Sequence, residues 1–351
     1  MVSKYIGLDV HQASTTMVVI DEKGKMIQES VMRTDGKQLQ SQVASISGRK
    51  ELTFEEGCMS NWLYMLLTPV VDHLVVCDPT ENRKISSGPK SDSLDALNLA
   101  ELLRRGYLKP VFHQTNLMDS LRSSHKTYQQ ITGDMTRCKN RIKALFRSRG
   151  VKTDGSVYKP DARSKHLDLL DRREEKTSSM YLFDQLDFFT AQKDRAGQTM
   201  ISLASKHKGY KILKSIPGIG PVRGATIMAI VVSPQRFRNK RLFWSYCGLA
   251  VVKRSSSDWV DGKSGLERRR REQTLGLNWK RNPEMKHVFK QAAVSAISST
   301  PMKEYYEKHI ERGLNPALAR VTVARKLAAV TLSLWKKGEP FKKEYIIQSS
   351  V

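Results

Sequence analysis

The chain has 351 residues, 39% of them hydrophobic, and carries 60 Lys+Arg against 35 Asp+Glu, a formal net charge of +25. That length accommodates two or three domains, and a charge so far from zero exceeds what solubility requires and points to a large acidic partner, nucleic acid ahead of an anionic membrane surface. No run approaches the roughly 18 apolar residues of a membrane span, Asp9 falls where a secretory signal needs its apolar stretch, and Cys58, Cys77, Cys138 and Cys247 lack zinc-knuckle or disulfide-framework spacing, so an intracellular protein is expected.

In chain order, Lys4 to Asp9, Thr15 to Asp21 and Met26 to Thr34 read as three β-rich segments, the last two joined by the turn signal Glu22-Lys23-Gly24-Lys25. A meander of antiparallel strands is predicted. A helix-length polar segment from Lys37 to Ser47 follows, then a strand from Leu52 to Glu55, a helix from Asn61 to Leu67, a strand from Leu74 to Asp78 and a helix from Ser91 to Arg105. Three strands in a row and then alternating helices and strands is the order of a ribonuclease-H-like mixed α/β sheet, in which the first and fourth strand ends are neighbours.

From about Thr115 to Leu213 the sequence is polar with a narrow apolar stripe, Ile131, Met135, Ile142, Leu145 and Phe146, and Gly150 to Pro160 interrupts it. Two long helices are predicted, packed on each other or on a second subunit. In Ile216-Pro217-Gly218-Ile219-Gly220-Pro221, Pro221 suits the first position of a helix continuing through Gly224 to Val232. Lys253 to Arg281 is rich in Ser, Gly and Arg without periodicity and reads as a loop or mobile arm. Helices are expected from Pro283 to about Ile297 and from Pro316 to Lys337, the second with Asn315 as N-cap and Gly338 just past its end.

Four acidic residues stand out against this frame. Asp9 closes the apolar run Tyr5-Ile6-Gly7-Leu8, Glu55 closes Leu52-Thr53-Phe54, and Asp92 and Asp95 lie three apart at the start of a helix. Carboxylates carried to one sheet edge and met there by an i, i+3 pair repel one another unless cations neutralise them, so a divalent metal site facing a polyanion, and with it phosphodiester chemistry, is indicated. A plainer reading exists for each part. Acids in a first helical turn meet the positive end of the helix dipole, and a single acidic strand end is common; neither explains the coincidence of all four. Strand alternation lets either Glu55 or Glu56 face the edge, not both. His11, close to Asp9, has two readings, a residue touching the site and, more plainly, a surface histidine after a strand.

The turn at Pro217-Gly218-Ile219-Gly220 fits a helix-hairpin-helix, whose glycines let backbone amides approach a phosphate, with Arg223, Arg236, Arg238, Lys240 and Arg241 nearby. A plain interhelical turn has the same look. Ser255-Ser256-Ser257 is by composition a polar loop, and Arg268 to Arg271 a solvated basic arm or a contact to RNA or DNA backbone.

Taken together these segments resemble the DEDD-type insertion-sequence transposases, the IS one-ten family, which are related to the Piv-type DNA invertases. Tyr5-Ile6-Gly7-Leu8-Asp9 is similar to the family's first motif, Phe54-Glu55-Glu56-Gly57 to its second and Lys90-Ser91-Asp92-Ser93-Leu94-Asp95-Ala96 to its third. The resemblance continues at Ser215 to Pro221, at Arg236-Phe237-Arg238 ahead of Tyr246-Cys247-Gly248-Leu249, and from Arg325-Lys326-Leu327-Ala328 through Lys337-Gly338-Glu339-Pro340-Phe341.

The resemblance implies a RuvC-like domain over 1–112, a helical coiled-coil connector over 113–212 and a mostly helical transposase domain over 213–351 with a nucleophilic serine. It selects Glu55 over Glu56, and by spacing from Gly248-Leu249 it selects Ser256, with Ser255 as the alternative; where the family has glycine after that serine, Ser257 and Asp258 follow here. It implies a recombinase that mobilises its own insertion sequence, Asp9, Glu55, Asp92 and Asp95 holding Mg²⁺ or Mn²⁺ while Ser256 attacks a DNA phosphate to form a phosphoserine intermediate. Donor and target DNA, a structured bridge RNA and further copies of the chain, as a dimer or a synaptic tetramer, are the implied partners, in a prokaryotic cytoplasm at the nucleoid. Two other readings are a RuvC-like junction-resolving nuclease that uses water, and a nucleic-acid scaffold with an inert acidic cluster.

Overall fold

The structure, a computed structural model, describes residues 2–82, 91–113, 118–262, 265–298 and 301–347, with backbone alone over 255–272. The chain divides into two compact units, Met1–Leu117 and Met118–Val351.

The first unit is built on strands β1 (Ser3–Val10), β2 (Ser14–Ile20), β3 (Met26–Arg33), β4 (Arg49–Glu55) and β5 (His73–Cys77), in the spatial order β3-β2-β1-β4-β5. β1, β2 and β3 pair antiparallel, as their short turns require, whereas β4 and β5 run parallel to β1, as their helical crossovers allow. Alternation along the strands divides the sheet's two faces. Ile6, Leu8, Met17, Val19, Leu52 and Phe54 bury against Leu39 and Val43 of α1 (Gly36–Ser45) and Leu63 and Leu67 of α2 (Ser60–Leu67). Val18 and Ile20 bury on the opposite face against Ala96 and Ala100 of α4 (Asp92–Arg104), while α3 (Pro79–Asn82) is a single turn after β5.

The close approach of α4 to β1 depends on Gly7, where a Cβ would lie 2.0 Å from the Ala96 carbonyl oxygen and 2.7 Å from the Ala100 nitrogen. No side chain fits there without lifting the helix. The helix starts where Ser91 accepts a hydrogen bond from the Leu94 amide, so Asp92 and Asp95 fall in its first turn. Near its other end Glu101 accepts from Arg104 Nε at 2.6 Å, and Arg104 also donates to the Glu22 carbonyl at 3.2 Å, tying the helix to the β2–β3 turn.

In the second unit α5 (Asp119–Arg147) and α7 (Arg173–Ser205) are the two long helices expected, and they pack on each other. Cys138, Ile142 and Phe146 meet Phe183 and Leu186, with Val157 and Leu170 from the connection that includes α6 (Arg163–Leu167). A larger core joins α8 (Lys208–Ser215), α9 (Pro221–Val231), α10 (Lys240–Tyr246), α11 (Pro283–Ala296), α12 (Met302–Glu311) and α13 (Pro316–Lys337), with α14 (Glu344–Ile347) at its edge. Asparagine caps recur: Asn239, Asn282 and Asn315 accept amide hydrogen bonds at the starts of α10, α11 and α13, and Gly338 ends α13 at φ 76°.

The segment expected to be a loop or mobile arm is instead a two-stranded antiparallel ribbon, β6 (Val251–Gly262) with β7 (Gly265–Leu277). Its register pairs Ser255 with Glu272, Ser256 with Arg271 and Ser257 with Arg270. A ribbon held by backbone hydrogen bonds between its strands needs no alternating apolar face, so serine and arginine runs conceal it from a reading based on hydrophobic period.

The units differ sharply in charge. Met1–Leu117 contains 13 of the 60 Lys and Arg and 14 of the 35 Asp and Glu, a net of −1; the remaining 47 and 21 give Met118–Val351 a net of +26.

Candidate metal centre

Parallel pairing of β1 with β4 sets Leu8 opposite Phe54, so the next residue of each strand, Asp9 and Glu55, arrives at the same sheet edge. Leu8 and Phe54 point into the α1/α2 core, and alternation therefore turns Asp9 and Glu55 to the face that α4 covers. Asp92 and Asp95 come from the first turn of that helix. All four line one cavity of about 400 Å³, together with Glu56, His11 and Asn82. Among the described residues, five acidic side chains and no lysine or arginine line it.

The tightest group, among the described residues, is Asp9, His11 and Asp92, whose ligand atoms all lie within 4.8 Å of one another. Glu55 and Asp95 face the same cavity outside that group. His11 Nε2 lies 3.1 Å from Asp9 Oδ2 and 3.8 Å from Asp92 Oδ1, so the histidine read as a surface residue bridges two of the acids, although it is itself exposed. Burial pushes the Asp9 carboxyl above the ordinary carboxylate range; the nearby His11 pulls it down, and the charges of Asp92 and Asp95 add to the rise. A half-buried carboxylate beside two others is what a bound cation stabilises. Carboxylate oxygens with one imidazole suit Mg²⁺ or Mn²⁺, which prefer oxygen donors.

Both adjacent glutamates line the cavity, against the expectation that alternation admits only one, because β4 ends at Glu55 and Glu56 lies past it; their partners still distinguish them. Asn82 Nδ2 donates to Glu55 Oε1 at 3.1 Å, and Glu56 Oε2 lies 2.6 Å from Nε2 of the buried His113 ring. Glu56 is thereby engaged by its own partner, and Glu55 is held by an amide that leaves its second oxygen for the cavity. Asn82 carries no signal in the sequence: it stands 27 residues from Glu55 in a single helical turn. His11 is legible only as a neighbour two positions from Asp9, on the same side of an extended chain.

Ser256 lies in β6 of the second unit, and its backbone is paired with that of Arg271. Of the basic residues near the α8–α9 turn, Arg223 donates to the Gly218 carbonyl at 2.8 Å and to Ser295, and Arg236 stacks on the rings of Phe237 and Tyr246, each about 5.1 Å from its guanidinium. Arg238, Lys240 and Arg241 are exposed. Gly218, at φ 77°, is filled on its open side by α11: a Cβ there would lie 2.1 Å from the Ala292 carbonyl oxygen, while Gly220 faces open space.

Among the described residues no helix is long and apolar enough to cross a membrane. Comparison with known families matches residues 6–149 to a DEDD transposase family of the IS110 type, and residues 210–307 to the transposase IS116/IS110/IS902 family. Asp9, Glu55, Asp92 and Asp95 fall within the first match and Ser256 within the second. No curated protein matches the chain.

Proposed function

Since the chain belongs to the IS110-type transposases, enzymes that cleave and transfer DNA strands, we propose that it moves an insertion sequence by metal-dependent recombination, with Asp9, Glu55, Asp92 and Asp95 as ligands of Mg²⁺, or of Mn²⁺ in its place. The observation that carries this reading is the convergence of Asp9, Glu55, Asp92 and Asp95 on one cavity to which, among the described residues, no lysine or arginine contributes. A bound divalent ion supplies Lewis-acid withdrawal of charge from a phosphate and stabilises a leaving oxygen. The protein's own groups do the rest. Asn82 orients Glu55, and His11 lies against Asp9 and beside Asp92 at the same cavity.

The family resemblance assigns the attacking group to Ser256. Its Oγ forms a bond to phosphorus as the P–O3′ bond breaks; the hydroxyl proton passes to solvent and the departing 3′ oxygen takes one up. One phosphoester replaces another, so the strand can be rejoined without an external energy source. Guidance by a bridge RNA fits the net charge and the lack of any compact base-reading motif in the sequence. The three-part division at 112 and 212, the coiled-coil role of α5 and α7, the helix-hairpin-helix role of the α8–α9 turn through Gly220, assembly as a dimer or tetramer, and a cytoplasmic, nucleoid-associated location belong to the same proposal.

One observation favours a second reading: all four carboxylates lie in Met1–Leu117, so that unit could hydrolyse DNA with water, as a junction-resolving nuclease does. Incubation of the purified chain with its RNA and element-end DNA separates the two. Covalent protein–DNA adducts that need Mg²⁺, disappear in Ser256→Ala with RNA binding intact, and disappear in Asp92→Asn are expected. Clean hydrolytic products without adducts would establish the nuclease reading.

A further inference from the structure

Helices α10, α12 and α13, with Tyr345 of α14, enclose a cavity of about 420 Å³ in the second unit, within the roughly 300–1,000 Å³ range of small-ligand sites. Lys240, Arg325 and Lys326 line it together with Trp244, Tyr305 and Tyr345, and among the described residues no acidic side chain does. The cations lie over the rings: the Arg325 guanidinium is 4.7 Å from the Trp244 ring centre, Lys240 Nζ is 5.7 Å from the same ring, and Lys326 Nζ is 5.8 Å from that of Tyr305.

Trp244 is fixed in place, its indole nitrogen donating to the Arg325 carbonyl at 2.8 Å. Arg325 Nε is buried and, among the described residues, has no hydrogen-bond partner. Burial and the charge of Lys240 both lower the affinity of the Lys326 amine for its proton. Three cations line the cavity and, among the described residues, no carboxylate lines it to offset them, so it favours an anion. The rings narrow the chemistry, since an inorganic anion has no use for an aromatic wall, whereas a nucleobase stacks on one and its phosphate takes the ammonium groups.

We propose that this cavity receives one unstacked nucleotide of a single-stranded nucleic-acid segment, its base lodged among Trp244, Arg325 and Tyr305 and its phosphate held by Lys240 and Lys326. The site shares no residue with the acidic cavity and stands whether or not that cavity binds metal. Either sugar satisfies the chemistry, and the experiment tells them apart.

Full-length protein, stripped of bound nucleic acid at high salt, is irradiated with single-stranded oligonucleotides carrying 5-iodouracil, one series DNA and one RNA, and adducts are mapped by mass spectrometry. Adducts at Trp244 or Tyr305 are expected, and the productive series identifies the strand. In parallel, Lys240→Ala/Lys326→Ala should weaken single-strand binding about tenfold and flatten its dependence on the logarithm of salt concentration by about 0.7, one phosphate contact, with blunt-duplex affinity unchanged. Adducts confined to other residues in both series overturn the proposal, and because that measurement uses the unaltered chain it stands even if the double variant folds poorly. An equal loss on duplex and single strand overturns it too, as does displacement of the oligonucleotide by an acidic peptide but not by a mononucleotide.

Discussion

Asp9 is held in a place that suits a carboxylate poorly while the cavity holds no cation. Its burial, and the charges of Asp92 and Asp95, favour the protonated acid, and only His11 opposes them. Replacing it with asparagine removes the repulsion and keeps the shape. Asp9→Asn should therefore raise the melting temperature of the metal-free protein slightly while abolishing the further rise that millimolar Mg²⁺ gives the unaltered chain by binding the folded state alone. Calorimetric scans with chelator and with Mg²⁺ read both effects. A variant that melts lower without metal and still responds to Mg²⁺ would mean that Asp9 is a structural acid.

At the scale of elements, the decisive contact is α4 against β1. Gly7, Ala96 and Ala100 let the helix backbone come close enough to bring its first turn to the sheet edge, and Glu101 with Arg104 fastens the far end to the β2–β3 turn. Hydrogen bonds from Arg104 hold the Glu101 carboxyl below its ordinary range, with burial opposing them. A group depressed in this way stabilises the fold above its unfolded value and loses that contribution as pH falls through its folded one. Glu101→Gln should thus cost about 1 kcal/mol at pH 7, since the pair is partly exposed. The deficit should shrink as the pH falls below the ordinary carboxylate range and Glu101 of the unaltered chain takes up its proton. Urea unfolding at pH 7 and over a series of lower pH values tests this, and a deficit independent of pH would rule it out. The β6–β7 ribbon shows the opposite relation between sequence and element: nothing in its residue pattern announces strands, because the pairing that makes them is between backbones.

For the whole molecule, the division of charge separates tasks. Met1–Leu117 has its own buried cores and a net charge of −1, whereas Met118–Val351 carries +26. Expressed alone, residues 1–117 should fold cooperatively, bind Mg²⁺ and fail to retard RNA or DNA at physiological salt, while the full chain binds both with a steep salt dependence. Gel shifts across a salt series decide it; tight nucleic-acid binding by the fragment would show that net charge does not govern where the polyanion docks. Much of this organisation is legible in the sequence. The strand and helix order of the first unit, the long helices and the capped α13 follow from apolar period and cap residues, which act within a few residues of themselves. So do the positions of Asp9, Glu55, Asp92 and Asp95 at element ends. What the sequence leaves open depends on contacts between distant residues: His113 engaging Glu56, Asn82 orienting Glu55, α11 filling the space beside Gly218, and the cations gathered around Trp244. Local pattern fixes which backbone shapes are cheap, but only the folded chain decides which side chains meet across 27 or more positions, because those meetings are set by packing and not by any period in the sequence.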